Sequence, residues 1–268
     1  MSDVGLERVA VIGAGNLGRA MARGWVSAGI LAPDDVWVTR RHEEKLEDLR
    51  SDGFQVGTDN RKAAEAATCI VVAVQPPQVA GVINEIADLA GDRVIISVAT
   101  GVSLESIRAI VGEPCHLVRA MPNTAVETLS SMTCLALDPA SDVASDTALA
   151  LFGALGRTLV IDEEMMTPAT ALCACGIAFF LRTVRAAAQG GTEIGFHADE
   201  ALLLAAQTAR GAADLILAGS THPESEIDRV TTPRGCTIAG LNELEHGGFS
   251  SAMIRGILTS SRRAQELL

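Results

Sequence analysis

Short apolar runs alternate with amphipathic stretches through the first 162 residues of the chain. The apolar runs are rich in β-branched residues and occupy 8–13, 36–39, 69–74, 94–99, 116–121, 133–137 and 158–161. The amphipathic stretches between them lie at 16–29, 43–53, 60–67, 78–89, 103–112 and 142–155. Strands that are apolar on both sides and are separated by helices indicate a parallel sheet covered on both faces. We therefore predict an α/β fold with an N-terminal doubly wound, mostly parallel sheet.

The pattern changes after residue 162, where segments of strand type end. Helical periodicity then fills 165–190, 198–219, 236–246 and 248–267. We predict two domains, an α/β domain over 1–162 and an all-α domain over 163–268. Segments such as 201–209 carry more apolar residues than one small bundle can bury. The helical domain is therefore expected to pair with a second subunit, as a dimerisation domain.

Composition and charge exclude several classes of protein. The longest apolar run, 169–181, is shorter than the ~20 residues of a membrane span, so we expect a buried core helix there and no membrane segment. A net charge of −12 without a long basic run argues against nucleic-acid binding. The six cysteines lack zinc-site spacing and the N-terminus lacks signal-peptide features, which predicts a cytoplasmic protein with no metal.

A glycine-rich loop, GAGNLG, follows the first predicted strand and opens the first predicted helix. In a dinucleotide-binding loop the first glycine permits a tight turn, the second admits the pyrophosphate and the third lets helix and strand touch. The N–H groups at the helix start favour a negative charge. We predict that residues 1–162 form a dinucleotide-binding, Rossmann-type domain, in which this loop binds the cofactor through Gly13, Gly15, Asn16, Leu17 and Gly18.

The end of the second predicted strand indicates which dinucleotide binds. NAD sites usually carry an acidic residue there, but Asp34 and Asp35 precede the strand and are assigned to the turn after Pro33. The strand instead ends in Thr39, Arg40 and Arg41, whose hydroxyl and guanidinium groups suit a 2′-phosphate. This favours NADPH, with NADH still possible. The alternative is a solvated basic pair at the start of helix 43–53.

The segment 228–245 places a turn, Pro233-Arg234-Gly235, directly before a helical pattern. Two interpretations are open. Threonine hydroxyls at this point can act as ordinary helix caps, with proline and glycine making the turn. Alternatively, the free N–H groups at the helix start hold an anionic ligand.

Five motifs together indicate a family. They are VIGAGNLGRAMARGW, VVAVQPPQV, ISVATGVSL, VRAMPNTAV and VTTPRGCTIAGLNELEHGGFSSAMI, in this order. The chain resembles the pyrroline-5-carboxylate reductases from about residue 8 to residue 267. The resemblance implies an NAD(P)H-dependent oxidoreductase that reduces the cyclic imine 1-pyrroline-5-carboxylate to L-proline, the last step of proline biosynthesis. It also implies a homodimer or a ring of dimers, with the active site at the dimer interface.

The resemblance also assigns site residues. It implies a loop that binds the substrate carboxylate, built from Thr232, Arg234, Gly235, Cys236 and Thr237. Thr237 is the catalytic candidate, for orientation or proton relay, because a threonine is a poor acid. The remaining cofactor contacts implied are Asn60 near the adenosine, Ala73, Gln75 and Pro76 over the dinucleotide, and Met121, Pro122 and Asn123 at the nicotinamide.

Departures from the family pattern keep two alternatives open. Residues 173–179 read CACGIAF where many members have a serine-rich segment, and Arg234 replaces a glycine. A more apolar pocket would suit a different cyclic imino acid, such as a six-membered ring or the 2-carboxylate isomer. A non-catalytic NADPH-sensing protein is the other alternative. A 3-hydroxyacid dehydrogenase is disfavoured because residues 165–190 contain no lysine.

Overall fold

The computed structural model describes residues 8–138, 141–219 and 221–266. The chain divides into two compact units. The first, here called the sheet unit, comprises the described parts of 1–175 and 260–268, and the second, the helical unit, comprises 176–259. The last described strand ends at Val160, before the first segment of the sheet unit ends at Cys175. The domain boundary predicted at 162/163 stays a prediction.

One eight-stranded sheet organises the sheet unit. Its strands are β1 (Val9–Ile12), β2 (Val36–Thr39), β3 (Gln55–Gly57), β4 (Cys69–Val72), β5 (Val94–Ser97), β6 (His116–Met121), β7 (Ser131–Leu137) and β8 (Gly156–Val160). Their order is β3-β2-β1-β4-β5-β6-β7-β8. Neighbouring strands are parallel except β6 and β7, which are antiparallel. The predicted Rossmann-type, mostly parallel sheet is confirmed.

Helices cover both faces of the sheet, as the apolar strands require. The helices of this unit are α1 (Asn16–Ser27), α2 (Glu47–Ser51), α3 (Asn60–Glu65), α4 (Pro76–Ile86), α5 (Leu104–Val111), α6 (Asp142–Gly153) and α7 (Met166–Ala169). Val9 and Val11 of β1 face one core, with residues of α1, α2 and α6. Ala10 and Ile12 face the other core, with residues of α3, α4 and α5. Successive side chains of the strand point alternately into the two cores. Every position in the run is therefore apolar.

A buried ion pair anchors the segment that follows the sheet. Arg119 of β6 is 5% exposed, and its Nη1 lies 2.8 Å from Glu163 Oε1. The same carboxylate oxygen accepts a hydrogen bond from the N–H of Leu104 at 2.7 Å. Arg119 therefore serves as a structural ion-pair partner, consistent with its place inside a strand.

Helices alone form the helical unit within the described residues. They are α8 (Gly176–Glu193), α9 (Ala198–Ala218), α10 (Pro223–Val230), α11 (Cys236–His246) and α12 (Phe249–Gln265), the last of which ends in the sheet unit. The helix predicted over 165–190 is interrupted by one turn of π-helix, Thr170–Ala174. Helix α10 was not predicted, because its eight residues carry few apolar positions.

The prediction of a buried core helix at 169–181 is wrong. Phe180 and Leu181 are 63% and 61% exposed in a single copy of the chain. The helical stretch is also longer than the apolar run, and Glu163–Glu193 and Ala198–Ala218 are both long and apolar enough to cross a membrane. Counting only uninterrupted apolar residues underestimated that length. Helices that bury themselves against other protein meet the same criterion, so the observation alone assigns no membrane role.

Candidate active site

The glycines of the loop after β1 have different steric roles. Gly13 has a φ of +111°, and a Cβ there would lie 2.6 Å from the carbonyl oxygen of Ala73. A Cβ on Gly18 would collide with the carbonyl oxygen of Gly13. Gly15, in contrast, has open space where its Cβ would stand. The first and third glycines are therefore required by the fold, whereas the second leaves the backbone accessible to a ligand.

The backbone of two neighbouring strands holds this loop in place. The N–H groups of Gly13 and Ala14 donate to the carbonyl oxygen of Thr39 at 3.1 and 2.9 Å. The N–H of Ala73 donates to Ile12 at 2.8 Å. Helix α1 then begins after Gly15, and among the described residues no side chain caps it. Its first N–H groups are available to an anion, as a pyrophosphate-binding loop requires.

A cavity of about 340 Å³ opens at the carboxyl ends of β1, β2 and β4. The predicted residues that line it are Gly13, Gly15, Thr39, Arg40, Arg41, Asn60, Ala73 and Gln75. Further lining residues were not predicted, including His42, Thr58, Gln78 and Val82. Gln78 and Val82 follow Gln75 at helical spacing on α4, a signal that was available. Thr58 follows β3, a three-residue strand too short to recognise.

The other predicted cofactor residues do not line this cavity. Asn16 lines a neighbouring cavity, Leu17 is partly buried and Pro76 begins α4. Met121 and Pro122 are buried at the end of β6. The Asn123 side chain accepts from the N–H of Ala125 at 3.1 Å and donates to the carbonyl oxygen of Cys173 at 3.4 Å.

At the end of β2, Thr39 belongs to a hydrogen-bond network, whereas the next two residues are arginines at the cavity. The Thr39 hydroxyl donates to Asn60 Oδ1 at 2.7 Å, and Asn60 Nδ2 donates to Glu85 at 2.8 Å. Thr39 is 1% exposed, so its hydroxyl is used in the hydrogen bond to Asn60. Arg40 donates to the carbonyl oxygen of Ala14 at 3.0 Å, while Arg41 is exposed. The two arginines thus supply the positive charge at the cavity rim.

The acidic residues near the loop do not occupy the position at the end of β2 from which a carboxylate would bind the ribose. Asp34 and Asp35 form a short 3₁₀ helix, Pro33–Asp35, before β2, at the opposite end of the strand from Thr39. This position agrees with their assignment to a turn. Asp48 of α2 accepts hydrogen bonds from Arg19 and Arg23 of α1. The Arg19 guanidinium, followed by that of Arg23, lowers the pKa of Asp48 to about 2, so this cluster ties α1 to α2.

In the helical unit, the predicted substrate loop is a tight turn. The N–H of Gly235 donates to the carbonyl oxygen of Thr232 at 2.9 Å. Pro233 holds the second position of the turn and Arg234, with a φ of +61°, the third, as in a type II turn. A Cβ on Gly235 would lie 2.5 Å from the hydroxyl oxygen of Thr232. A side chain at position 235 would therefore require the Thr232 hydroxyl to move.

The start of α11 bears on the capping interpretation of this segment. Gly235 is the N-cap residue, and no side chain in the described parts of the chain caps the helix. Proline and glycine make the turn as expected, but among the described residues no threonine hydroxyl caps the helix, and the first N–H groups of α11 are available to a ligand. One detail of the prediction needs correction, because the Gly235 N–H is already used in the turn. Cys236 and Thr237, both exposed, retain theirs for a ligand at the helix start.

Comparison with known proteins assigns the chain to a family. Residues 163–267 match the family model described as pyrroline-5-carboxylate reductase dimerisation. Residues 8–101 match a second model, described as NADP oxidoreductase, coenzyme F420-dependent. The chain is 44% identical to pyrroline-5-carboxylate reductase 2 of Dictyostelium discoideum, over 97% of this chain and 93% of that protein. This chain belongs to the pyrroline-5-carboxylate reductase family. The family predicted from the five motifs is confirmed.

Other members of the reductase family agree over the same length. Pyrroline-5-carboxylate reductase 1 of D. discoideum is 48% identical over 97% of this chain, which spans 49% of that longer protein. A solved pyrroline-5-carboxylate reductase from Coxiella burnetii superimposes with a TM-score of 0.89 at 28% identity, covering 98% of both chains. The Plasmodium falciparum pyrroline carboxylate reductase, solved with NADP bound, has the same fold, with a TM-score of 0.88 at 21% identity and 97% coverage of both chains.

Proposed function

We propose that this chain catalyses the NADPH-dependent reduction of 1-pyrroline-5-carboxylate to L-proline, the last step of proline biosynthesis. The observation that carries the proposal is the turn Thr232–Gly235 followed by the uncapped start of α11. This arrangement suits a small anionic substrate, and it lies in a chain of the reductase family whose relatives carry that name.

The sheet unit supplies the cofactor site. The open space at Gly15 and the uncapped start of α1 fit a pyrophosphate, which is the test that a dinucleotide site has to pass. Arg40 and Arg41 suit the 2′-phosphate of NADPH, and NADH is the weaker alternative. When bound, the cofactor supplies the hydride for the reduction. Asn60, tied to Thr39 and Glu85, positions the loop that precedes α3 for the adenosine side of the cofactor.

The helical unit supplies the substrate site. The N–H groups of Cys236 and Thr237 bind the substrate carboxylate, and Gly235 keeps the approach clear of a side chain. Arg234 holds a left-handed backbone conformation that is unfavourable for a side chain of its size. Such a conformation persists where the surroundings or the function require it, and the exposed Arg234 guanidinium adds a cationic contact for the carboxylate.

Thr237 is the proposed catalytic residue. It lies in the first turn of α11, next to the N–H groups assigned to the carboxylate, and it is exposed. Its hydroxyl orients the imine nitrogen or relays a proton to it. Because an alcohol is a poor acid near neutral pH, a water molecule held by this hydroxyl is the proposed proton source.

A second cyclic imino acid is the competing substrate. Segment 173–179 has thiols and apolar side chains where many members of the family have serines, and this would favour a less polar ring than that of pyrroline-5-carboxylate. The six-membered analogue and the 2-carboxylate isomer are the specific candidates. An NADPH sensor without turnover is disfavoured, because Pro233, Gly235 and Thr237 are all present in an intact turn.

The proposed assembly is a homodimer or a ring of dimers, in the cytoplasm. The match of 163–267 to a dimerisation family supports it, as do the exposed apolar side chains of α8 and α9. Leu203 is 69% exposed, and such a surface is stable in water when it is covered by another copy. The acidic net charge of −12 supports the absence of a nucleic-acid partner.

The decisive experiment follows the absorbance of NADPH with the purified protein and three substrates in parallel. These are 1-pyrroline-5-carboxylate, its six-membered analogue and the 2-carboxylate isomer. We expect rapid NADPH oxidation with the first and at least about tenfold lower kcat/KM with the others, because one has an extra ring methylene and the other carries its carboxylate at a different ring position. Preference for another ring would reassign the substrate. Tight NADPH binding with no oxidation of any of them would support the sensor.

A further inference from the structure

Two cysteines that are distant in sequence lie side by side in the sheet unit. Cys134 belongs to β7 and Cys173 to the π-helical turn Thr170–Ala174. Their sulfur atoms are 3.7 Å apart. In the sequence, Cys173 has a closer neighbour in Cys175, so nothing in the spacing suggested this pair. Single π-helical turns frequently accompany functional positions, which makes the site a candidate for chemistry.

The pair has one accessible and one buried member. Cys134 is 3% exposed and packs in an apolar cluster with Met121 and Met166. Cys173 is only partly buried and lies at the edge of that cluster. The hydrogen bond between the two sulfur atoms lowers the pKa of Cys173 and raises the pKa of Cys134. The accessible sulfur is therefore the nucleophile, and the buried sulfur is a resolving thiol.

We propose that Cys134 and Cys173 form a reversible disulfide on exposure to peroxide, so that this site is a thiol modification site of the reductase. Disulfides in reducing compartments are usually transient and either catalytic or redox-sensing, and a pair with one accessible member fits that class.

The reaction balances with peroxide as the oxidant. The Cys173 thiolate attacks one oxygen of hydrogen peroxide, an S–O bond forms, the O–O bond breaks, and hydroxide leaves and is protonated to water. Cys134 then attacks the Cys173 sulfur, an S–S bond forms and the S–O bond breaks. The Cys134 proton leaves with the departing hydroxide as a second water. Two thiols lose two electrons in total, and a dithiol reductant returns them by exchange.

The disulfide would also alter the neighbouring end of β6. The sulfur atoms must approach from 3.7 Å to about 2.05 Å, which moves the π-helical turn or β7. The main-chain carbonyl of Cys173 accepts from Asn123 Nδ2 at 3.4 Å, so the movement reaches Asn123 directly. Under the proposed function Asn123 lies at the nicotinamide, and oxidation is then expected to slow hydride transfer.

The first test is independent of activity. The full-length protein is treated with hydrogen peroxide, free thiols are alkylated, and peptides are mapped by mass spectrometry with and without dithiothreitol. We expect a dithiothreitol-sensitive link between the peptides of Cys134 and Cys173. The matched control, Cys175→Ser, should form the same link, and Cys134→Ser should form none. A link from Cys173 to Cys175, or overoxidation of Cys173 with no link, would overturn the proposal.

The second test measures turnover, and this part rests on the proposed function. Oxidised wild-type protein should lose about tenfold in NADPH oxidation rate, since displacements near 1 Å at a reacting site have effects of that order or more, and dithiothreitol should restore it. Cys134→Ser treated in the same way should lose less than twofold. A mapped link without loss of turnover would overturn the effect on Asn123. Absence of any turnover before oxidation would count against the proposed function alone.

Discussion

The two units of the molecule bury their apolar residues to very different extents. All four residues of β1 are at most 1% exposed, and the sheet unit contains two extended cores. Within the described residues of the helical unit, only Gly176 and Ala201 are buried. Two helical segments, Ala198–Ala218 and Glu163–Glu193, the second of which ends in this unit, are nevertheless as apolar as core helices. The sheet unit completes its own core, whereas the helical unit needs further protein to cover its surface.

The difference has a physical origin in the elements themselves. A parallel sheet has two faces, and the helices that connect its strands pack on both, so one chain can bury every strand. The helices α8 and α9 carry apolar side chains around much of their circumference, such as Phe180 and Leu203. One neighbouring helix covers only one stripe of such a surface. We therefore expect the helical unit to cover this apolar surface by self-association, whereas the sheet unit should fold and bind its cofactor independently of that contact.

The largest effect is expected from Gly13→Ala in the sheet unit. The new Cβ would be 2.6 Å from the Ala73 carbonyl oxygen, at a φ of +111° that disfavours any side chain. Strain and overpacking together should lower the free energy of unfolding by about 4 kcal/mol. Chemical denaturation measures this.

Gly15→Ala is the matched control for that change. Its Cβ meets nothing within 4 Å, so stability should change by less than about 1 kcal/mol. NADPH binding should nevertheless weaken, because the methyl group obstructs the pyrophosphate. Equal loss of stability in both variants would contradict the separation of a structural from a ligand-contacting glycine.

The next largest effect is expected from Leu203→Asp in the helical unit. Leu203 is 69% exposed in one copy, and a carboxylate inside a subunit interface would be desolvated without a partner. Dimer dissociation should increase by about 100-fold, equivalent to almost 3 kcal/mol. Analytical ultracentrifugation across a concentration series measures this directly.

Val143→Asp provides the comparison in the sheet unit, where Val143 of α6 is 54% exposed. The Val143→Asp substitution should leave the ratio of monomer to dimer unchanged in the same ultracentrifugation experiment. Leu203→Asp should also keep its NADPH affinity within about twofold, because the cofactor cavity is lined by the sheet unit. Unchanged mass for Leu203→Asp would show that α9 does not supply the covered surface.

An intermediate effect is expected from Thr237→Ala. Loss of the hydroxyl should reduce kcat by about 20-fold, within the range of one positioned proton-transfer or orienting group. The affinity for NADPH should stay the same, because Thr237 belongs to the helical unit. Steady-state kinetics and cofactor titration distinguish the two. Thr237→Ser keeps the hydroxyl and should recover most of the turnover, and full activity of Thr237→Ala would leave this residue as part of the helix start only.

The smallest effect is expected from the double substitution Arg40→Ala and Arg41→Ala. The KM for NADPH should rise about tenfold, while the KM for NADH changes less than about twofold, because only NADPH carries the 2′-phosphate. Arg50→Ala, which removes an exposed arginine outside the cavity, is the control and should affect neither cofactor. Parallel increases for both cofactors would remove the assignment of the 2′-phosphate.

Most of the fold was predictable because its signals are local. The continuous apolar runs predicted seven of the strands, and the glycine loop was recognised from its place between a strand and a helix. Strand β3 and helix α10 were missed because Gln55–Gly57 is too short for a pattern and Pro223–Val230 is mostly polar. Whether such a short, half-exposed segment forms a strand or a helix is decided by the elements it packs against. A local sequence pattern contains no information about those contacts.

The candidate site was predicted in part, for the same reason. The cavity contains the glycines and arginines chosen from the motif and its spacing. The commitment of the Thr39 hydroxyl to Asn60 and of the Gly235 N–H to Thr232 became visible only in the structure. These bonds join groups brought together by the sheet order or by a turn whose backbone angles the sequence does not state.

The sequence by itself determined the succession of most strands and helices and the glycine-rich loop, because each follows from residues close together along the chain, and it determined the family through five motifs in a fixed order. Only the tertiary structure decided that Cys134 meets Cys173 and that Phe180 is exposed. A contact between β7 and a turn 39 residues away depends on how the strands are ordered. Exposure depends on whether other protein covers a helix. Both are properties of the packed chain, and an apolar pattern states that a residue needs burial without stating what buries it.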